Sequence, residues 1–94
     1  VMWTLGEEED VRSVAFSPDG KLLAIGCGSK VKLWDVPTGK LRWTQTEREG
    51  LVAFSPDGKL VALGSYEQVI LWDAQTGELY RRLMWSMTNF VVTN

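Results

Sequence analysis

Histidine is absent from the 94 residues, and cysteine occurs once, as Cys27. Those two shortages remove whole classes of chemistry. Ser-His-Asp and Cys-His nucleophile systems lack their base, and Cys/His zinc sites lack their ligands. A single cysteine rules out an internal disulfide and sets a cytoplasmic location as the expectation. No apolar run reaches the roughly 18 residues of a membrane-crossing helix, and these residues hold no charged-then-apolar leader. An excess of basic charge is missing too. Ten Lys and Arg stand against 12 Asp and Glu, for a net charge of -2, so the chain offers no basic stripe for nucleic acid and no membrane surface is implied. With 45% hydrophobic and 23% charged residues it has the composition of a folded globular protein. A chain this short buries only a modest fraction of its surface, so its core depends on neighbours. It begins at Val1 and ends at Asn94 beside the apolar run Phe90-Val91-Val92, which gives the expectation of a segment of something longer.

What is present is repetition. Phe16-Ser17-Pro18-Asp19-Gly20-Lys21-Leu22 returns as Phe54-Ser55-Pro56-Asp57-Gly58-Lys59-Leu60, an offset of 38. The same offset carries Val31 to Val69, Trp34-Asp35 to Trp72-Asp73 and Thr38-Gly39 to Thr76-Gly77; from Val14–Leu41 to Val52–Leu79, 18 of 28 positions are identical without a gap. Two segments so alike share one backbone path, and a unit of this length cannot bury its faces alone. In each copy Ser-Pro-Asp-Gly is a hairpin turn: Pro presets φ, Asp tolerates the bridge region and Gly accepts positive φ. The runs around it are short and nearly continuously apolar, the pattern of strands covered on both faces. Strands are predicted at Val1–Leu5, Val11–Ser17, Leu22–Gly26, Val31–Trp34 and Lys40–Thr44. The second copy places them at Leu51–Phe54, Leu60–Gly64, Val69–Trp72 and Leu79–Leu83. Phe90–Thr93, two offsets beyond Val14–Ser17, reads as the first strand of a third unit.

With Phe-Ser-Pro-Asp-Gly-Lys, Val-x-Leu-Trp-Asp and Thr-Gly in both copies, the sequence resembles the WD-repeat β-propeller family over nearly its whole length. The resemblance implies an all-β fold of four-stranded antiparallel blades packed radially. Its implied divisions within one propeller domain are residues 1–10 (outer strand and loop of a preceding blade), 11–45 (a blade), 51–84 (a blade) and 89–94 (inner strand of the next blade). The chain departs from the family at the Gly-His position, where Gly6-Glu7 stands, and at the turns Cys27–Lys30 and Ser65–Gln68, which lack the usual aspartate. The His-Asp network that engages the tryptophan indole in the family therefore cannot form. Trp34 and Trp72 are expected to act by burial, with their N–H groups finding other partners or water.

No catalytic, cofactor or metal residue is predicted. Asp19, Asp57, Asp35 and Asp73 invite a catalytic or calcium reading, but they stand where the turns need short side-chain acceptors, without an oxygen-rich ligand loop. Gly26 and Gly28 follow a strand with no helix after them, which excludes a phosphate loop. Cys27 reads as a small packing residue. Trp3 and Trp43, at matching places on outer strands, are expected to pack, with a contact surface as the alternative. The most informative surface is charged. The resemblance puts the loops from outer to inner strands and the second-to-third-strand turns on one face of the disc, collecting Glu7, Glu8, Glu9, Asp10, Glu47, Glu49 and Glu67 against Lys30 and Arg48. Tyr66 is the apolar anchor beside them. The function implied is a non-enzymatic scaffold whose partners are a basic protein and further blades in cis or in trans. Two alternatives are a short chain that self-assembles and binds a small ligand or glycan between blades, and a piece of a propeller enzyme.

Overall fold

The computed structural model describes residues 10–65, 68–85 and 90–93. Among the described residues nine strands run in chain order, each hydrogen-bonded to the next within its sheet. The first sheet is β1 (Val11–Phe16), β2 (Leu22–Cys27), β3 (Lys30–Asp35) and β4 (Lys40–Thr46). The second is β5 (Leu51–Phe54), β6 (Leu60–Gly64), β7 (Gln68–Asp73), β8 (Leu79–Trp85) and β9 (Phe90–Thr93). All pairings are antiparallel. The expected strand Val1–Leu5 lies outside the described residues.

The turns fold as their residues require. Ser17 Oγ donates to Asp19 Oδ1 at 2.6 Å and accepts from Leu22 N–H at 2.9 Å, while Lys21 N–H donates to Asp19 Oδ1. The same three bonds recur at Ser55, Asp57, Lys59 and Leu60. Gly20 and Gly58 close the turns at φ of +74° and +73°, a region where a Cβ is strained. Registers repeat as well. β4 slips by one residue against β3 between Leu33 and Trp34, and β8 slips against β7 between Leu71 and Trp72, so Arg42 and Tyr80 are the extra residues of two matching bulges.

One expectation is corrected. Phe90–Thr93, predicted on the inner edge of a third blade, pairs instead with the outer edge of β8, Leu83 opposite Val92 and Trp85 opposite Phe90. A free edge presents a row of unpaired N–H and C=O groups. An antiparallel return onto β8 satisfies that row, whereas the innermost place of a third blade has no described strand of that blade to pair with.

The core lies between the sheets. Leu22, Ala24, Val31 and Leu33 of the first meet Val52, Val61, Leu63, Ile70, Trp72 and Ala74 of the second, with Ala15, Trp43 and Phe54 at its margin. Alternation decides which residues arrive there: Ala15, Ala24, Leu33 and Trp43 stand in one cross-strand row, while Phe16, Leu23 and Trp34 share the opposite face. The outer strands lock the joint. Trp43 lies 6.0 Å from Trp72, ring to ring, and its Nε1 donates to the Ala74 carbonyl at 3.0 Å. Gln45 donates to the Gly77 carbonyl at 2.7 Å, and Arg42 to Gln75 Oε1 at 3.0 Å. Gly77 is held at φ +76°, and a Cβ there would lie 2.6 Å from the Trp43 ring, so the indole sits where only glycine leaves room.

Candidate protein-contact face

The two ends of the sheets differ in how their polar groups are used. At one end lie the Ser-Pro-Asp-Gly turns and the turns after β3 and β7. Asp35 accepts from Thr38 N–H and from the Thr38 hydroxyl at 2.6 Å, and Asp73 accepts from the backbone of Gln75 and Thr76. The hydroxyl of Thr38 holds the Asp35 carboxyl below its ordinary range; Ser17 does the same for Asp19, and Ser55 for Asp57. A groove of about 450 Å³ runs between these turns, lined in part by Pro18, Asp19, Asp57, Gly58 and Lys59. Its aspartates are engaged by their own turns, as the sequence leads one to expect. Tyr80, half exposed at the β8 bulge, stands nearby beside Asp57, Lys59 and Asp73.

The opposite end holds the described part of the acidic set. Gly28 N–H donates to the Asp10 carbonyl at 3.2 Å, and Glu47 N–H donates to the Ser29 carbonyl at 2.8 Å. Two backbone bonds thus gather the entry to β1, the β2–β3 turn and the β4–β5 linker at one place. Asp10 is exposed there, and Lys30 and Arg48 are too. The two remaining carboxylates are paired. Glu49 meets Arg12 Nε at 3.0 Å with both side chains about half exposed, and Glu47 meets Arg82 Nη2 at 2.9 Å in a more sheltered setting, where Arg82 also donates to Gln68. The Glu47 pair ties the linker to β8. An exposed pair contributes only about 0–1 kcal/mol, so these contacts place the loops more than they hold the fold together.

Among the described residues, Asp10, Glu47 and Glu49 stand at this end with Arg12, Lys30, Arg48 and Arg82; Arg12 and Arg82 sit on strands, and nothing in their spacing marks them as facing the loops. Glu7, Glu8, Glu9, Tyr66 and Glu67 lie outside the described residues.

The tryptophans part company. Trp72 is buried at 2% exposure and Trp43 packs on it, whereas Trp34 is half-buried and its Nε1 is enclosed without a hydrogen-bond partner. No described protein group pairs with it, and the face it shares with Phe16 and Leu23 is not the one the second sheet covers. The sequence signal for Trp43 is Thr76-Gly77, a small-residue turn that leaves room for an indole on the neighbouring outer strand. Cys27 is buried.

A family model described as WD domain, G-beta repeat, matches residues 1–35. Among solved structures, the WD40 repeats of RRP9 share the fold at a TM-score of 0.77 and 18% identity, over 93% of this chain and 29% of that one. U3-55K gives 0.77 and 18%, over 93% and 30%. Hydrazine synthase of Kuenenia stuttgartiensis gives 0.73 and 19%, over 82% and 24%. At such identities the likeness is one of fold, and this chain spans less than a third of each of those proteins.

Proposed function

From a WD40 repeat in its sequence and WD40 blades in its fold, we propose that the chain is a non-enzymatic, cytoplasmic scaffold that binds a protein partner at the loop end built around Asp10, Ser29 and Glu47. The observation that carries this reading is the pair of backbone bonds, Gly28 to Asp10 and Glu47 to Ser29, that hold three separate loops side by side on rigid sheets. Loops fixed in this way are suited to recognition, because little ordering remains to be done on binding. The proposed contact set is Glu7, Glu8, Glu9, Asp10, Glu47, Glu49, Tyr66 and Glu67, and the proposed partner is basic. Since Arg12 and Arg82 engage Glu49 and Glu47, the attraction rests mainly on Glu7, Glu8, Glu9, Asp10 and Glu67. Clustered charge of this kind speeds encounter more than it deepens the final complex.

The test is binding to a peptide series graded from acidic to basic, with the unmodified chain compared with Glu7/Glu8/Glu9→Lys and Tyr66→Ala at low and high salt. Basic peptides should bind preferentially; the charge reversal should slow association at low salt only, and the tyrosine change should speed dissociation at both. Equal binding by all three proteins, or a footprint on the Ser17–Gly20 turn at the other end, would sink the reading.

A further inference from the structure

The outer edges of the two sheets are copies put to different use. Beyond β8 lies β9, which sets Thr93, Val92, Val91 and Phe90 opposite Arg82, Leu83, Met84 and Trp85. At the offset of 38 those four positions of β8 become Thr44, Gln45, Thr46 and Glu47, and among the described residues β4 is the last strand of its sheet. The two edges share their register down to the bulge, so an edge that takes a strand in one repeat has a backbone shaped to take one in the other. Sheets stacked face to face cover faces and leave outer edges at the rim, so further blades would not close this edge. What differs is the side-chain chemistry. The β8 edge is apolar at Leu83, Met84 and Trp85, and the strand it takes is Phe-Val-Val-Thr. The β4 edge is polar, with Thr44 and Thr46 exposed and Gln45 turned to the Gly77 carbonyl. Lys30 stands opposite Thr46, Lys32 opposite Thr44 and Lys40 at the start of the strand, where the second repeat has Gln68, Ile70 and Glu78. Lysine along an edge deters an apolar strand. It favours an acidic one, because opposite charges in a cross-strand row attract.

We infer that an extended acidic segment of a protein partner pairs antiparallel with the outer edge of β4, its carboxylates opposite Thr44 and Thr46 and in line with Lys32 and Lys30. Strands two places apart in a sheet are separated by roughly 10 Å, a gap that a lysine and a glutamate side chain span together. Main-chain hydrogen bonds supply the affinity of such a strand, and its alternate side chains supply the choice of sequence. The site is separate from the loop end around Asp10, Ser29 and Glu47: it takes the opposite charge, and it binds through a backbone ladder rather than through loops.

The experiment titrates the full chain with a short peptide alternating Glu and Val and with its Lys-Val counterpart, and locates the contact by amide hydrogen exchange. The Glu-Val peptide should bind and slow exchange between Leu41 and Glu47 while leaving β8 unchanged. Two forms of that peptide, N-methylated on one or the other set of alternate amides, separate pairing from charge. The form methylated on the amides that face β4 should lose binding, and the other should keep it. The triple change Lys30→Gln, Lys32→Ile and Lys40→Glu installs residues that the second repeat carries at the same places, so the fold accepts it, with circular dichroism as the check. It should weaken the Glu-Val peptide roughly tenfold, the sum of a few exposed ion pairs. Glu7/Glu8/Glu9→Lys should not weaken it. No binding of the Glu-Val peptide, equal binding of the Lys-Val peptide, binding by both methylated forms, or protection of β8 in place of β4 overturns the inference. None of these outcomes bears on the loop-end reading, which predicts protection around Asp10 and Glu47 by basic peptides.

Discussion

The two sheets are near copies, yet their signature tryptophans live in different surroundings. Trp34 and Trp72 sit at the same point of the same bulged register, and Trp72 is 2% exposed while Trp34 is only partly buried and its enclosed indole N–H has no described protein partner. The motif therefore fixes where the indole points but not what covers it. Coverage comes from the neighbouring sheet, and here only the second sheet has its tryptophan face covered by one that is described. In a repeat protein the energetic meaning of a residue depends on its repeat number as well as its type.

The sharpest way to break this comparison is to delete both rings. Trp72→Ala removes a buried indole with Trp43 against it and should cost about 3–5 kcal/mol in urea unfolding. Trp34→Ala removes a half-covered ring and an unsatisfied N–H, and should cost about 1–2 kcal/mol. Equal losses would mean that the motif, not the neighbour, sets the contribution. Next in size is Gly77→Ala, where the positive φ and the Trp43 ring combine to cost about 2–3 kcal/mol. In the background Trp43→Ala the same change should cost about 1 kcal/mol, the backbone part alone. Smaller still is the pair Gly20→Ala and Gly58→Ala. Both give up positive φ at about 1 kcal/mol, but a Cβ at Gly58 would lie 3.3 Å from Pro18 of the other blade, and one at Gly20 would meet nothing. Gly58→Ala should be the worse of the two, and the reverse order would mean that the turns do not touch.

The smallest expected effect is on acid stability. Asp19, Asp35 and Asp57 all have carboxyls held below the ordinary value of 3.8, chiefly by the hydroxyls of Ser17, Thr38 and Ser55. A depressed pKa in the folded state gives stabilisation that is present above the unfolded value and is lost as pH falls through the folded one. Unfolding free energy should therefore decline as pH drops from about 4 towards 2, and Ser17→Ala with Ser55→Ala should flatten that decline. An unchanged slope would remove the hydroxyls from the account.

The parts of the structure legible in the sequence are those decided within a few residues. Ser17, Asp19 and Gly20 carry their whole turn in their own side chains, so their repetition at Ser55, Asp57 and Gly58 announced both hairpins and the meander between them. Contacts made across sheets were less legible. Neither Arg12 nor Arg82 is near its glutamate in sequence, and it is the path of the β4–β5 linker past β1 and β8 that brings Glu49 to Arg12 and Glu47 to Arg82. The edge of β8 was hidden for a related reason: alternation tells which face a strand buries, but not which of two open edges it joins. The acidic loops were read from proximity in the chain, which counts the charges on loops and misses those that reach them from strands.

The strand order has a consequence for the path by which the chain folds. Every pairing within a sheet joins neighbours in sequence, so each sheet can zip from its turns with little loop entropy to overcome. The contacts of high sequence separation are those between sheets, such as Trp43 to Ala74, Gln45 to Gly77 and Val52 to Ser13. These have to wait until two meanders exist to be joined. The slow event is then the docking of preformed sheets, and shortening Glu47–Gly50, the only tether between them, would alter the rate of folding more than it alters the architecture reached.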